Sequence, residues 1–205
     1  MDEVSLAKMR AQLAKALRPR RYVHSVGVEQ EARRLASRFG ADAELCATAG
    51  LLHDCARDIP GHQLVEIVSQ HDEGCVSDTL LRNPVLLHGL VGAILAKEKY
   101  GIDDERVLRA IRLHTMGAPD MTPEDKVVCL ADYTEPGRDF PGVEGIRACA
   151  ERSLDLALLA AFDSTIKHLI DSGYEIEAAT VAARNGILRG LENSTGVGDR
   201  SALQQ

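Results

Sequence analysis

The chain has 205 residues, of which 45% are hydrophobic and 3% aromatic, and its formal net charge is -7 at neutral pH. This length and apolar content are sufficient for one globular domain, and the negative charge disfavours nucleic-acid binding because such binding depends on basic surface. A small phosphorylated ligand is still allowed, since metal ions and a few local arginines can outweigh a mildly acidic surface.

Apolar residues recur at spacings of three and four along most of the chain, which predicts an all-α fold of about eight to nine helices. The predicted helices, in chain order, are 5–17, 20–39, 42–56, 61–71, 84–100, 104–114, 123–134, 143–172 and 175–191. We expect one helical domain over residues 1–192, with a core of Leu, Ile, Val and Ala. The polar, Gly- and Ser-containing segment 193–205 is predicted to be a disordered tail.

Two glycine–aspartate pairs mark the turns of predicted helical hairpins. Gly40 followed by Asp42, and Gly101 followed by Asp103, each predict that one helix ends and that the next is N-capped. Two antiparallel hairpins are therefore expected in the first half of the chain.

The sequence also predicts the cellular compartment. It contains neither a signal-peptide pattern at its start nor an uncharged apolar run of about 18 residues, so a cytoplasmic protein without a membrane helix is expected. The five cysteines form no C-x-x-C pair and are predicted to be reduced, mostly buried residues: Cys46, Cys55, Cys75, Cys129 and Cys149.

Four of the seven histidines can be brought together by helix geometry. His24 lies 16 residues before Gly40 and His53 lies 13 residues after it, which is roughly 24 and 20 Å at about 1.5 Å per helical residue. Antiparallel packing would set these two side by side. His88 and His114 each lie 13 residues from Gly101, so they should come level across their own hairpin.

Two aspartates accompany these histidines. Asp54 directly follows His53, and a His-Asp dipeptide in an apolar helix can hold a metal from two directions or bridge two metals. Asp132 lies in the apolar run Val127–Tyr133, where an ionised side chain needs a partner such as a metal ion.

A lone histidine on an apolar helix is more often a core residue than a metal ligand. The pairing of the four histidines across the hairpins is therefore what favours metal binding. His62, His71 and His168 have no such partner and are interpreted as structural or surface residues, with His71 as a carbonyl or helix-dipole partner.

The pattern of a lone His, a His-Asp dipeptide and a distant Asp resembles the HD-domain metal-dependent phosphohydrolases. Within that superfamily the chain resembles the bacterial YqeK family over roughly residues 20 to 150. The resemblance rests on Arg21-Tyr-Val-His-Ser-Val-Gly-Val, Leu52-His-Asp-Cys-Ala-Arg-Asp-Ile-Pro, Ala110-Ile-Arg-Leu-His-Thr-Met-Gly and Leu130-Ala-Asp-Tyr-Thr-Glu-Pro-Gly-Arg-Asp-Phe-Pro-Gly-Val.

The resemblance implies a symmetrical diadenosine tetraphosphate hydrolase that yields two ADP and uses a two-metal, usually iron, centre. Carried over by position, one metal would be held by His24, His53, Asp54 and Asp132. Asp54 would bridge to a second metal held by His88 and His114. The expected partner is a small-molecule nucleotide, with a homodimer left open. Histidine and carboxylate ligands suit iron or manganese, although zinc and nickel are not excluded by affinity alone.

The chain departs from the family pattern at Met116, where a second Thr is usual, and at Arg57, where a Lys is usual. Neither is a proposed ligand, so the departures bear on phosphate contacts. The related ppGpp hydrolases carry Glu-Asp where this chain has Arg57-Asp58, which weakens that alternative.

Hydrolysis of a phosphoanhydride requires an activated water and neutralisation of phosphoryl charge, and two metals would supply both. Candidate substrate-binding residues are Arg21, Arg57, Thr115 and Arg138; the arginines are suited to bidentate contacts with phosphate. Asp58 is a candidate for orienting water or an arginine, although a carboxylate beside a Pro-Gly break has a common structural explanation. Two alternatives remain open: another HD-type nucleotide phosphohydrolase, and a nucleotide-binding module without turnover.

Overall fold

The computed structural model describes residues 3–71 and 76–195, which form eleven α-helices, one short 3₁₀ turn and no β-strand. The all-α prediction is confirmed, and the predicted number of eight to nine helices is wrong. The helices are α1 (Glu3–Ala16), α2 (Pro19–Phe39), α3 (Ala43–Leu52), α4 (Gly61–Gln70), α5 (Asp78–Arg82), α6 (His88–Tyr100), α7 (Glu105–Leu113), α8 (Pro123–Thr134), α9 (Val143–Ala150), α10 (Leu154–Asp171) and α11 (Ala178–Thr195).

Two local features account for the higher number of helices. The predicted helix 143–172 divides into α9 and α10, because the Ser153 side chain accepts from the backbone N–H of Leu156 and so caps a new helix. Helix α5 has five residues and starts after Ser77, which caps it in the same way. A helix of about one turn is too short to show a hydrophobic period.

Three of the four paired histidines lie at helix ends, whereas the sequence predicted His53 and His88 inside helices and His114 as the last residue of a helix. Helix α3 ends at Leu52, so His53 is its C-terminal cap and Asp54 lies in the turn that follows. His88 is the first residue of α6, preceded by the 3₁₀ turn Pro84–Leu87. His114 follows the last residue of α7. Turns of the backbone at the helix ends thus orient these three side chains.

The predicted hairpin turns are present. Gly40 has φ 73° and Gly101 has φ 70°, a left-handed conformation that glycine adopts without steric cost. Asp42 caps α3 by accepting from the backbone N–H of Leu45 at 3.1 Å. The second hairpin differs by one residue, because the cap of α7 is Asp104 and not Asp103.

The core is centred on α8, which packs against α2, α3, α7, α9 and α10. Residues 127–131 of α8 are fully buried. The helices approach closely where side chains are absent. Within the first hairpin, a Cβ on Gly50 would lie 3.0 Å from the carbonyl oxygen of Val28, and between the hairpins, one on Gly92 would lie 3.3 Å from that of His53. This proximity brings the paired histidines together.

Among the cysteines in the described part of the chain, Cys46, Cys55 and Cys129 are buried and Cys149 is partly buried, all as free thiols. Cys75 lies outside the described residues, as does the part of the predicted tail from 196 to 205. Helix α11 includes residues 193–195. Within the described ranges, no helix combines the length and apolarity that crossing a membrane requires.

Candidate metal centre

Six side chains converge where α2 and α8 meet the ends of α3 and α7 and the start of α6. The ring centroids of His24 and His53 are 5.2 Å apart, and those of His88 and His114 are 4.9 Å apart. His53 and His114 join the two pairs at 4.8 Å. The hairpin geometry predicted both pairs, and the tertiary packing makes one cluster of them. Its members are His24, His53, Asp54, His88, His114 and Asp132.

Three of the histidines are oriented by the backbone in the same way. The Nδ1 atoms of His53, His88 and His114 lie 2.7, 2.5 and 2.7 Å from the carbonyl oxygens three residues earlier in the chain. A carbonyl oxygen can only accept, so each Nδ1 carries the proton and donates. A neutral ring of this tautomer presents an unprotonated Nε2, which is the usual form of a metal ligand.

The Nε2 atoms show that the cluster fits a metal. His53 Nε2 is buried and, among the described residues, has no hydrogen-bond partner. The Nε2 atoms of His88 and His114 face each other at 3.1 Å, so in the neutral rings two lone pairs meet. The Thr115 hydroxyl lies 3.1 and 3.0 Å from them, and it has one proton for two acceptors. Buried lone pairs without a donor are costly, and a bound cation would satisfy them.

The two carboxylates occupy different sides of the cluster. Asp54 Oδ1 lies 3.2 Å from His88 Nε2 and 4.0 Å from His114 Nε2, whereas its Oδ2 lies 3.7 Å from His53 Nε2. Asp132 Oδ1 lies 2.9 Å from His24 Nε2 and 3.7 Å from His53 Nε2. Each oxygen of Asp54 therefore faces a different set of imidazoles.

Two groups of atoms are compact enough for a single ion each. One consists of His24, His53 and Asp132, and the other of His53, Asp54 and His114, with ligand atoms within 4.8 Å of one another. His88 adjoins the second group through its contacts with Asp54 and His114. Imidazole and carboxylate donors together suit a transition metal such as iron, manganese or zinc.

The electrostatics favour the cation-binding forms of His53, His114 and the two carboxylates, whereas for His24 burial is outweighed by the hydrogen bond and charge of Asp132, which raise the pKa. Burial, with the neighbouring His53 and His88, lowers the pKa of His114 to about 3. Burial also lowers the pKa of His53. Burial opposes ionisation of Asp54 and Asp132, yet the nearby imidazoles outweigh it and hold the pKa of both carboxyls below the usual value. Neutral imidazoles and ionised carboxylates are what a metal site requires.

A cavity of about 860 Å³ adjoins the centre at His24. Among the described residues that line it, five are arginines and three are acidic, so this surface is locally basic on an acidic protein. The apolar part of the wall comes from Val23, Ile59, Pro60 and Phe140. The arginines are Arg18, Arg20, Arg21, Arg57 and Arg138. A cavity of this size is within the range of small-molecule sites.

All three predicted arginines line this cavity and reach the carboxylates of the cluster. Arg21 Nη1 donates to Asp54 Oδ2 at 3.0 Å, and Arg57 Nε lies 4.0 Å from Asp54 Oδ1. Arg138 donates through Nη2 to Asp132 Oδ1 and through Nε to the Asp132 carbonyl at 2.6 Å. The cationic side chains thus connect the cavity with the metal cluster.

Asp58 also lines the cavity, and its observed contacts are with the start of α2. Its Oδ2 accepts from the backbone N–H of Arg18 at 2.9 Å, and its Oδ1 lies 3.5 Å from Arg18 Nε. Arg18 is the cap residue of α2, whose own side chain does not cap the helix. Asp58 therefore satisfies an N-terminal donor of that helix.

Glu135 is a site residue that the sequence analysis did not single out. It is 5% exposed, and its Oε1 lies 3.0 Å from His24 Nδ1. The signal was present, because Glu135 follows Asp132 by three residues and would share its face of a helix. Its position just before Pro136, where a helix is expected to end, made the shared face less evident.

The remaining histidines lie outside both candidate ion groups found among the described residues. His62 and His168 are exposed. His71 caps the C-terminus of α4, where its Nδ1 donates to the Ile67 carbonyl at 2.8 Å and its Nε2 lies 2.9 Å from Glu98. The interpretation of His71 as a carbonyl partner is confirmed.

Similarity to known proteins indicates the family to which the chain belongs. The HD domain family model matches residues 21–137. A Bacillus subtilis protein named bis(5'-nucleosyl)-tetraphosphatase, symmetrical, is 38% identical over 188 residues, which is 92% of this chain and 98% of the relative. A Halalkalibacterium halodurans protein of the same name is 37% identical, over 82% of this chain and 89% of the relative.

A solved structure is also similar. It is the crystal structure of a predicted HD superfamily hydrolase involved in NAD metabolism from Clostridium acetobutylicum, with a TM-score of 0.87 and 44% sequence identity. The similarity covers 90% of this chain and 97% of that one.

Proposed function

The chain belongs to the HD domain family, and from this premise we propose that it hydrolyses diadenosine tetraphosphate symmetrically, to two molecules of ADP. The observation that carries the proposal is a cluster of four imidazoles and two carboxylates at the side of an arginine-lined cavity. The similar proteins named as symmetrical tetraphosphatases supply the substrate class and the position of cleavage.

In this proposal two metal ions, most suitably iron with manganese as the alternative, are held by the six clustered residues. When bound, they supply an activated water and neutralise charge on the phosphoryl oxygens. His24, His53, Asp54 and Asp132 would hold one ion, and Asp54, His88 and His114 would hold the second. The buried, unpartnered Nε2 of His53 supports this assignment.

The cavity residues bind and orient the polyphosphate. A guanidinium has five N–H donors, so the contacts of Arg21 to Asp54 and of Arg138 to Asp132 leave other donors for phosphate oxygens. Arg57 lies beside them on the cavity wall. We assign these three arginines to substrate binding.

Two further residues are assigned roles in this proposal. We assign a contact with a phosphoryl oxygen to the hydroxyl of Thr115, which lies between the Nε2 atoms of His88 and His114. Asp58 contributes by holding the start of α2, and with it Arg18, at the cavity.

The test is product analysis on a nucleotide panel, with protein purified anaerobically and its metals measured by elemental analysis. Diadenosine tetraphosphate should give ADP as the sole nucleotide product, because the central anhydride is attacked. Formation of AMP plus ATP would contradict that regiochemistry. Rapid phosphate release from a mononucleotide without cleavage of the dinucleotide would instead favour another HD-type phosphohydrolase, and tight binding without hydrolysis would favour a regulatory module.

The cytoplasmic location, a homodimer and the exclusion of nucleic acid as a partner stay predictions from the sequence. The acidic net charge of -7 supports the last of these, since nonspecific nucleic-acid binding relies on basic surface.

A further inference from the structure

Glu135 is a buried carboxylate beside the metal centre that is not one of the six proposed ligands. Its Oε1 lies 3.0 Å from His24 Nδ1, and its Oε2 accepts from the backbone N–H of Gly137 at 2.6 Å. Both oxygens are therefore engaged. A carboxylate that is only 5% exposed is costly to bury, and this position indicates a specific task.

The backbone at the end of α8 delivers this side chain. Pro136 disfavours a helical conformation in the residue before it, and Glu135 is accordingly extended, with ψ 146°. Arg147 holds the turn by donating to the Glu135 carbonyl at 2.8 Å and to the Arg138 carbonyl at 2.9 Å. The chain thus leaves the helix with the Glu135 side chain turned back towards His24.

The carboxylate lies in a space that two glycines leave open. A Cβ on Gly27 would lie 2.6 Å from Glu135 Oε2, and a Cβ on Gly137 would lie 3.0 Å from both carboxylate oxygens. Gly27 is in α2, within one turn of His24. A methyl group at Gly27 would force the carboxylate to shift, and one at Gly137 would press against both of its oxygens.

His24 differs in this respect from the other three histidines of the cluster. Their Nδ1 atoms donate to backbone carbonyls, whereas the partner of His24 is a carboxylate. We propose that Glu135 is the positioning residue of the centre, which by its hydrogen bond to Nδ1 fixes the His24 ring with Nε2 towards Asp132 and the metal. The anionic partner makes His24 a more basic ligand than a carbonyl would.

This inference rests on the proposed function, because it concerns a metal held by His24. The test is a titration of metal-free protein with Co²⁺, followed by the visible absorption of the bound ion, with hydrolysis measured separately. Glu135→Gln keeps the size of the side chain, but it offers only one oxygen to the two donors, His24 Nδ1 and the backbone N–H of Gly137. We expect it to weaken Co²⁺ binding by roughly 10- to 100-fold, as is typical when a partner of a ligating histidine is removed.

Gly27→Ala probes the same contact without changing any ionisable group. The atom that the new Cβ would meet is Oε2 of Glu135, at the end of a flexible side chain, so the carboxylate should move while the helix stays intact. We expect a similar loss of Co²⁺ affinity, with the unfolding midpoint of metal-free protein close to wild type. Gly145→Ala is the matched control: it is also a helical glycine, with nothing within 4 Å of its Cβ position, and should bind Co²⁺ as wild type does.

A double-mutant cycle separates positioning from a general structural effect. If Glu135 acts through His24, then Glu135→Gln should change the residual Co²⁺ affinity of a His24→Ala protein less than twofold. An undiminished effect in that background would overturn the proposal. So would wild-type Co²⁺ affinity in Glu135→Gln. Wild-type protein that binds no Co²⁺ would overturn both the metal centre and this inference, whereas Co²⁺ binding without diadenosine tetraphosphate hydrolysis would overturn the substrate assignment alone.

Discussion

The arrangement of Asp54 gives a quantitative prediction about the two ions. Its Oδ1 faces His88 at 3.2 Å and its Oδ2 faces His53 at 3.7 Å, and in the proposed centre Asp54 is the ligand that serves both ions. Asp54→Ala should therefore strip or severely weaken both metals. His88→Ala and His114→Ala remove ligands of the second site alone and should leave about one metal per chain.

Hydrolysis should fall in all three variants. Loss of one ion removes one of the two charges that stabilise the phosphoryl group, worth on the order of 3 kcal/mol. At about 1.4 kcal/mol per factor of ten, this predicts a decrease in kcat of roughly a hundredfold or more for His88→Ala. Asp54→Asn is a useful companion variant, because it preserves the volume of a side chain only 3% exposed but cannot bridge through two carboxylate oxygens.

Metal content by elemental analysis, measured beside kcat, is the deciding assay. Alanine variants of His62, His71 and His168 are matched histidine controls and should retain both ions and near-normal turnover. If His88→Ala retained two ions and near-normal turnover while Asp54→Ala lost only one, the second site would lie elsewhere. The centre would then work with one metal, and His88 and His114 would be core or substrate contacts.

Three other outcomes follow from contacts and burial. Gly186→Ala should lower the free energy of unfolding by about 1–3 kcal/mol in chemical denaturation, because its Cβ would lie 2.3 Å from the Pro119 carbonyl oxygen; an unchanged midpoint would contradict this packing. Arg138→Lys should lower kcat/KM for diadenosine tetraphosphate by roughly tenfold with metals retained, since lysine cannot form the bidentate contact. Loss of metal in this variant would show that Arg138 mainly holds Asp132. Burial raises the pKa of the Cys46 and Cys55 thiols to about 12, so at pH 8 mass spectrometry should show alkylation of both far slower in native than in unfolded protein; equal rates would refute their burial.

Helix-end contacts explain why the helix boundaries at the site were not fully predictable from the sequence. The sequence placed His53 inside the predicted helix 42–56, because apolar periodicity continues past Leu52, and it placed His114 as the last residue of the predicted helix 104–114. In the structure both lie just beyond a helix end, where Nδ1 of each donates to a carbonyl of the last turn. Periodicity reports which face is apolar, and it does not report where the hydrogen-bonded turns stop.

The sequence by itself determined the all-α class and the two hairpin turns marked by glycine. It also determined that His24 lies opposite His53 and that His88 lies opposite His114. These features could be predicted because helix rise and glycine conformation are local properties. The sequence suggested that the two hairpins converge on one site, but only the tertiary structure shows the contact that joins them, between His53 and His114 at 4.8 Å. The tertiary structure also decided that Glu135 turns back to His24. Both depend on how α8 packs between elements far apart in the chain, and close packing of that kind is set by the complete set of side chains, including those absent at glycines.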